Sequence, residues 1–420
     1  MTHEMVGKSR RQVSEGRVAS ACGADERGKT FTTATEILDY CRGELPAMLR
    51  LIEQAVEMES PSGSKVQIDR MAEFFAAQFR ELAGEVKLLR HPTAGTGVVA
   101  EFWPRRRAGT RRSGGRQSGK SILVLGHHDT VWPVGTIARM PFRVSGGRAW
   151  GPGIFDMKSG IVLGLTAVRS LKALGIEPGS PVRFFLNPDE EVSSIALRDS
   201  LIAEARRARA VLVLEPAASG GALKTARKGV GEFRITVTGR SAHAGINPGA
   251  GVNAISELAR QLLLVERFQN ARSGLTVTAG TIEGGTRSNV VPERATAAID
   301  VRIPRLKDRR VIERKMRGLK PFLAGARVEV TGGINRPPME RKMARDLYAH
   351  AHALAKRLGW ELRETATGGG SDGNFTAALG VPTLDGLGAV GDGAHARDEH
   401  VVIRELPRRA ALIAALLATL

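Results

Sequence analysis

Apolar residues along this chain recur in two rhythms. Over residues 34–83 they return every three or four positions in two blocks. The blocks are separated by Ser60-Pro61-Ser62-Gly63, whose proline and glycine break a helix, so the pattern predicts two helices and a turn. From residue 121 the texture changes to short apolar runs (121–125, 182–186, 211–214) alternating with helical stretches (160–174, 196–208). Apolar runs of that length are strands buried on both faces. Their alternation with helices predicts parallel β-α-β units, an α/β fold with a mostly parallel sheet and helices on both faces.

After Gly231 the strands change character. Residues 233–238 and 296–303 alternate like half-exposed strands, 275–282 and 327–331 supply two more, and 252–268 and 307–319 read as helices. The order βαββαβ is the split βαβ, ferredoxin-like pattern, expected here as an inserted second domain over residues 229–335. The tail resumes helix and short strand (346–358, 383–387, 404–417) and is expected to rejoin the first sheet. The main domain is thus read as residues 34–228 and 336–420. Residues 1–33 are polar, basic and aperiodic, and are expected to be a flexible extension.

Composition narrows the function classes. A chain of 420 residues exceeds what one core usually supports, and 42% hydrophobic with 25% charged residues excludes a disordered or fibrous protein. Lys+Arg 62 against Asp+Glu 43 gives a formal charge of +19, which raises polyanions as partners. The basic segment 104–120 has seven cations and no acid but no interleaved aromatics, and only 5% of the chain is aromatic. It reads as a solvated loop, and 305–320, net +6, as a solvated helix face. Neither a specific nucleic acid nor a membrane is expected as partner. Cys22 and Cys41 form no C-x-x-C pair, so neither a disulfide framework nor a thiolate zinc site is available. With no apolar run of membrane-spanning length and no apolar centre near the amino terminus, a cytoplasmic protein is expected.

The chemistry lies in where the metal-capable side chains fall. His127 and Asp129 follow the first parallel strand, Asp189, Glu190 and Glu191 the second, Glu215 the third and His395 the strand near Leu384. Open α/β sheets place ligands at these carboxyl ends. Asp156, between Gly153 and Gly160 and just ahead of a helix, belongs to the same rim. Two histidines and several carboxylates without thiolates suit a pair of divalent ions such as zinc, with Asp156 as the bridging candidate. Adjacent Glu190 and Glu191 cannot both point the same way, which favours one on metal and the other on protons. Hydrolysis of an amide is the natural use of such a site.

These segments resemble a known family, the co-catalytic di-zinc peptidases and deacylases that include glutamate carboxypeptidase, aminoacylase, acetylornithine deacetylase and succinyl-diaminopimelate desuccinylase. The resemblance rests on Gly126-His127-His128-Asp129-Thr130-Val131, Gly151-Pro152-Gly153-Ile154-Phe155-Asp156-Met157-Lys158-Ser159-Gly160, Asp189-Glu190-Glu191, Glu215-Pro216, Gly239-Arg240-Ser241-Ala242-His243-Ala244-Gly245, Ser288-Asn289-Val290-Val291-Pro292, Gly369-Gly370-Ser371-Asp372 and Gly393-Ala394-His395, in the family's order. It implies two Zn²⁺ per chain, with Co²⁺ or Mn²⁺ as substitutes. His127, Asp156 and Glu215 would hold one ion, and Asp156, Glu191 and His395 the other. Glu190 would be the general base on a shared water, with Asp129 fixing the His127 tautomer. It implies further that the insert makes a homodimer, and that His243 reaches the partner's site with Asn289 as companion. Arg336, or less directly Arg302, would anchor a substrate carboxylate. The expected substrate is a small peptide or N-acyl conjugate ending in a glutamate-like residue; an acetylornithine deacetylase-type N-acyl amino acid deacylase is the alternative.

Three rivals are weighed against this. Gly369-Gly370-Ser371-Asp372-Gly373 satisfies G-x-S-x-G, with Asp392 and His395 downstream, but residues 363–367 make a poor buried strand ahead of it. His400 could replace His395 in a shifted register. A polyanion-binding protein on an inactive scaffold is the non-enzymatic reading, opposed by the intact Asp189-Glu190-Glu191 set.

Overall fold

The computed structural model describes residues 24–104 and 120–420, and of residues 24–33 the backbone alone. Its centre is a six-stranded sheet in the order Glu85–His91, Gly95–Phe102, Val182–Asn187, Ser121–His127, Ala208–Val213, Thr383–Leu384. The last four run parallel; the first two form an antiparallel hairpin that joins Val182–Asn187 antiparallel. The sheet is buried on both faces because its strands alternate between two cores. Ile122, Val124, Phe184 and Leu212 face one cluster, and Leu123, Leu125, Phe185 and Val211 the other. Against the first face pack Leu45–Glu57, Lys65–Glu81, Ser159–Ala173, Arg345–Arg357 and Leu406–Thr419; against the second, Arg198–Arg206 and Gly373–Ala378. Full burial of an aromatic such as Phe184 stabilises by about 2 kcal/mol.

The insert is a separate antiparallel sheet, Thr276–Gly284, Arg294–Ile303, Gly229–Thr238, Arg327–Arg336, with Ala254–Glu266 and Leu306–Arg317 against one face and a core of its own around Phe233, Ile235 and Ile299. Its element order is the βαββαβ that the pattern predicts. Its last strand runs on to Arg336, five residues beyond the predicted end.

Two expectations need correction. The first apolar block is two helices, Ala24–Gly43 and Leu45–Glu57: Pro46 starts a new helix because its missing N–H costs nothing in a first turn. The described chain is helical from Ala24, so residues 24–33 are helical backbone where a flexible extension is expected. Residues 1–23 and most of the basic 104–120 segment lie outside the described residues. Among the described residues no helix is long and apolar enough to cross a membrane.

Candidate metal centre

The parallel topology delivers the predicted side chains to one rim. His127 ends its strand; Glu190 and Glu191 lie in a short helical turn just past Val182–Asn187; Glu215 follows Ala208–Val213. Asp156 precedes the Ser159–Ala173 helix, which lies close to the sheet because Gly160 has no side chain: a Cβ there would come 2.2 Å from the Leu214 carbonyl. His395 reaches in from a loop with φ 63°.

Within this rim the groups converge. His127 Nε2 is 3.2 Å from Asp156 Oδ1 and 3.5 Å from Glu215 Oε1. The other Asp156 oxygen, Oδ2, is 3.5 Å from His395 Nε2, which is 3.1 Å from Glu191 Oε1. Asp156 thus offers one oxygen to each histidine. His127, Asp156 and Glu191, and likewise His127, Glu190 and Glu215, bring one donor atom each within 4.8 Å of one another. Four carboxylates and two imidazoles crowded together, without thiolates, are a donor set fitted to divalent cations of the zinc type.

Electrostatics follow from the crowding. Burial pushes the Asp156 carboxyl up, but hydrogen bonds from His127 and His395 carry it well below the usual carboxylate range. Asp156 and Glu191, accepting from His395, raise that histidine to about 10. Burial raises Glu190 to about 8 against the pull of Arg336, and raises Glu191 as well.

A second layer of bonds holds the cluster. His127 Nδ1 lies 3.0 Å from the Asp129 carbonyl and 3.3 Å from its Oδ1. The Asp129 carboxylate also accepts from the backbone N–H of Glu190 and of Glu191, both at 3.1 Å, and from Ser62 Oγ at 2.7 Å. One acid therefore orients a histidine and pins the turn carrying both glutamates. Arg227, buried, gives Nη2 to Glu215 Oε2 at 3.1 Å and a fork to Asp385. Glu399 accepts from the backbone N–H groups of Gly153, Phe155 and Asp156 at 2.9, 2.9 and 3.1 Å and from the Trp132 indole at 2.7 Å. It ties the loop of Asp156 to the loop of His395. Sequence reasoning missed Glu399, Arg227 and Ser62; Ser60-Pro61-Ser62-Gly63 had meaning there only as a helix break.

Of the substrate candidates only Arg336 reaches this centre. Arg336 is buried against Glu190: Nη1 donates to Oε1, and Nη2 to the Glu190 carbonyl at 2.7 Å. Arg302 forks onto Asp300 of its own strand. His243 and Asn289 are exposed together past the Thr238 end of the insert sheet, where the N–H of Ala244 donates to the Asn289 carbonyl at 3.0 Å. His243 Nδ1 accepts from the N–H groups of Gly245 and Ile246. The Gly229–Thr238 strand separates them from Arg227 by a length of about 30 Å.

The serine triad does not assemble. Ser371 is buried and donates to Asp385 at 2.6 Å, while His395 faces Glu191 and Asp156. Residues 364–367 do form a strand, but half-exposed and paired with Leu223–Arg227. His400 stacks on Trp150 at 4.5 Å, with Nδ1 2.8 Å from the Asp398 carbonyl.

Residues 123–419 match the model of peptidase family M20/M25/M40. Carboxypeptidase G2 of a Pseudomonas species is 32% identical over 388 residues, covering 90% of each chain. The chain belongs to this peptidase family. It is accordingly a hydrolase. The chain is also 28% identical to succinyl-diaminopimelate desuccinylase of Paracidovorax citrulli, over 73% of this chain and 82% of that one. A solved dinuclear metal binding peptidase of Bacillus subtilis from the same family superposes with a TM-score of 0.64 at 18% identity, covering 90% of this chain and 98% of that one.

Proposed function

We propose that this family member is a di-zinc carboxypeptidase that cleaves the amide bond before a C-terminal, glutamate-like residue in small peptides or N-acyl conjugates. The observation that carries the reading is Asp156 offering one oxygen to His127 and one to His395, with Glu215 and Glu191 on the two sides. In this reading His127, Asp156 and Glu215 hold one ion and Asp156, Glu191 and His395 the other; Co²⁺ and Mn²⁺ fit the same donors. Bound there, the metals supply Lewis acidity toward the scissile carbonyl and toward water.

The chain's own residues do the rest. Glu190, buried beside the cluster, takes a proton from water and passes it to the leaving nitrogen. Asp129 keeps His127 in the tautomer whose Nε2 is free, and fixes the peptide that carries Glu190. Arg336 receives the substrate's terminal carboxylate through its planar fork, with Arg302 as the second candidate. Similarity to carboxypeptidase G2 over 90% of both chains favours this substrate class.

A homodimer through the insert completes the proposal. Among the described residues Thr276–Gly284 has a strand on one side only, and exposed Leu263 and Ile282 line the groove between it and the Ala254–Glu266 helix. From the far end of the partner's insert, His243 and Asn289 would steady the oxyanion. The cytoplasm is the compartment proposed.

Hydrolysis of a panel of N-acyl and peptidyl glutamates, aspartates, ornithines and aliphatic amino acids, with and without chelator, tests the reading. Glutamate conjugates are expected to turn over fastest and chelator to stop them. Preference for acetyl- or succinyl-diamino acids would favour the deacylase reading that the desuccinylase relatives represent. Indifference to chelator would end both.

A further inference from the structure

The turn that carries Glu190 and Glu191 ends in strained backbone. After Glu190–Val192, Ser193 and Ser194 stand at φ 83° and 53°, left-handed conformations that residues with a side chain hold only while their surroundings enforce them. Arg198, the first residue of the helix Arg198–Arg206, grips both. Its side chain reaches back along the chain: Nε donates to the Ser194 carbonyl at 3.1 Å and Nη2 to the Ser193 carbonyl at 2.8 Å. The guanidinium lies 4.7 Å from the centre of the Phe375 ring, the same ring that Arg336 approaches at 5.6 Å.

A further bond of Arg198 leaves the main domain. Nη2 also donates to Oδ1 of Asn335 at 2.7 Å, in the last strand of the insert. That strand bulges at this point: Ile334 pairs with Gly231 and Arg336 with the adjacent Val230, so Asn335 is the unpaired extra residue. Neighbours in an unbroken strand face opposite sides, whereas a bulge re-aims the side chains beside it. Here both neighbours reach one turn. Arg336 donates to the Glu190 carbonyl at 2.7 Å and to Ser194 Oγ at 3.0 Å, and Asn335 is joined to the turn through Arg198. The three acceptors of Arg198 are neutral, so its contribution is a directed planar fork and not a charge pair.

We propose that Arg198 is a positioning residue for Glu190 and Glu191, and that its bond to Asn335 makes the shape of their turn depend on where the insert lies. The inference rests on Glu190 being the base and Glu191 a metal donor, as proposed above. Arg198 acts through the two carbonyls it holds, and a shift of a reacting group by about 1 Å costs on the order of a hundredfold in rate. Movement of the insert strand is passed to the catalytic turn through one side-chain amide.

Two readouts on the full chain test this. In amide hydrogen exchange of the metal-free protein, Asn335→Ala is expected to speed exchange over residues 190–196 roughly tenfold, although Asn335 belongs to the insert, and to leave the rest of the main domain as it is. In kinetics of the zinc-loaded protein on N-benzoylglutamate, Arg198→Lys keeps the charge and loses the fork. It is expected to lower kcat about ten- to a hundredfold with KM within about twofold, and Asn335→Ala to lower kcat about three- to tenfold. The double variant is expected to be no slower than Arg198→Lys alone, because both changes act through one bond. Native exchange over 190–196 in Asn335→Ala overturns the proposal, and so does near-native kcat in Arg198→Lys. Losses that multiply in the double variant overturn it too, since they mean two unconnected structural defects. Where Arg198→Lys fails to fold, exchange and kcat in Asn335→Ala decide alone. Failure of the underlying reading looks different: the native chain would then leave N-benzoylglutamate uncut, while exchange in Asn335→Ala would still read the link.

Discussion

The two ends of this molecule treat their polar residues in opposite ways. At the carboxyl edge of the parallel sheet the candidate side chains meet others from distant parts of the chain: Asp156 meets His127 and His395, Glu190 meets Arg336, and Glu215 meets His127. At the far end of the insert, His243 and Asn289 are exposed and bonded only within their own loops. The donors of this cluster all come from one chain, and all but His395 are buried or half-buried. The insert loops have the exposure of groups whose work, in the proposed dimer, is done on another copy.

The sharpest way to break that contrast is to damage each end separately. Glu190→Gln is expected to keep two metals per chain and lose turnover by about a thousandfold or more, measured by metal analysis beside kcat. Near-normal rates would remove Glu190 as proton carrier. His243→Ala is expected to lower kcat by about a hundredfold with metal content unchanged. When the two variants are mixed and allowed to exchange subunits, about a quarter of native activity should return, because one site in each hybrid has both groups intact. No recovery on mixing would place His243 in its own chain's site or in none.

Smaller effects separate the centre from its supports. Glu399→Gln puts an amide among four donors that now share a carboxylate, and should weaken metal binding about 10–100-fold, read by titration of the metal-free chain. Metal binding should also weaken as pH falls. With His395 raised to about 10 in the metal-free chain, it is protonated at neutral pH and must release that proton on binding, so affinity drops about tenfold per pH unit for each proton displaced. Calorimetry in buffers of different ionisation heat reads that proton directly. Smallest at the centre, Leu263→Glu with Ile282→Lys should dissociate the dimer in sedimentation while leaving metal affinity untouched.

How much of this was legible in the sequence follows from the same contrast. His127, Asp156, Glu191 and Glu215 could be gathered in advance because a parallel sheet puts the carboxyl ends of its strands on one edge, and each lies at or just past such an end or ahead of a helix on that rim; His395 instead follows Gly391–Asp392, a short strand of another sheet. Glu399 was not legible. Its partners are backbone N–H groups 243 to 246 residues away in sequence, and a main-chain donor has no residue type to recognise. Arg227 was hidden among many arginines, and Ser62 behind its role as a helix break. Arg336 was expected to anchor a substrate carboxylate, and nothing in spacing pointed to its contact with Glu190. The helix boundary at Pro46 was missed because a proline in a first turn looks, in sequence, much like one that bends a longer helix.

The account stands on His127, Asp156, Glu191, Glu215 and His395 closing around two cations, and diffraction from zinc-loaded crystals at the zinc absorption edge tests it most directly. Two anomalous peaks per chain, one on each side of Asp156 and within about 2.0–2.2 Å of the imidazole and carboxylate donors, are the predicted result. A single peak, or peaks away from Asp156 and His395, would contradict it.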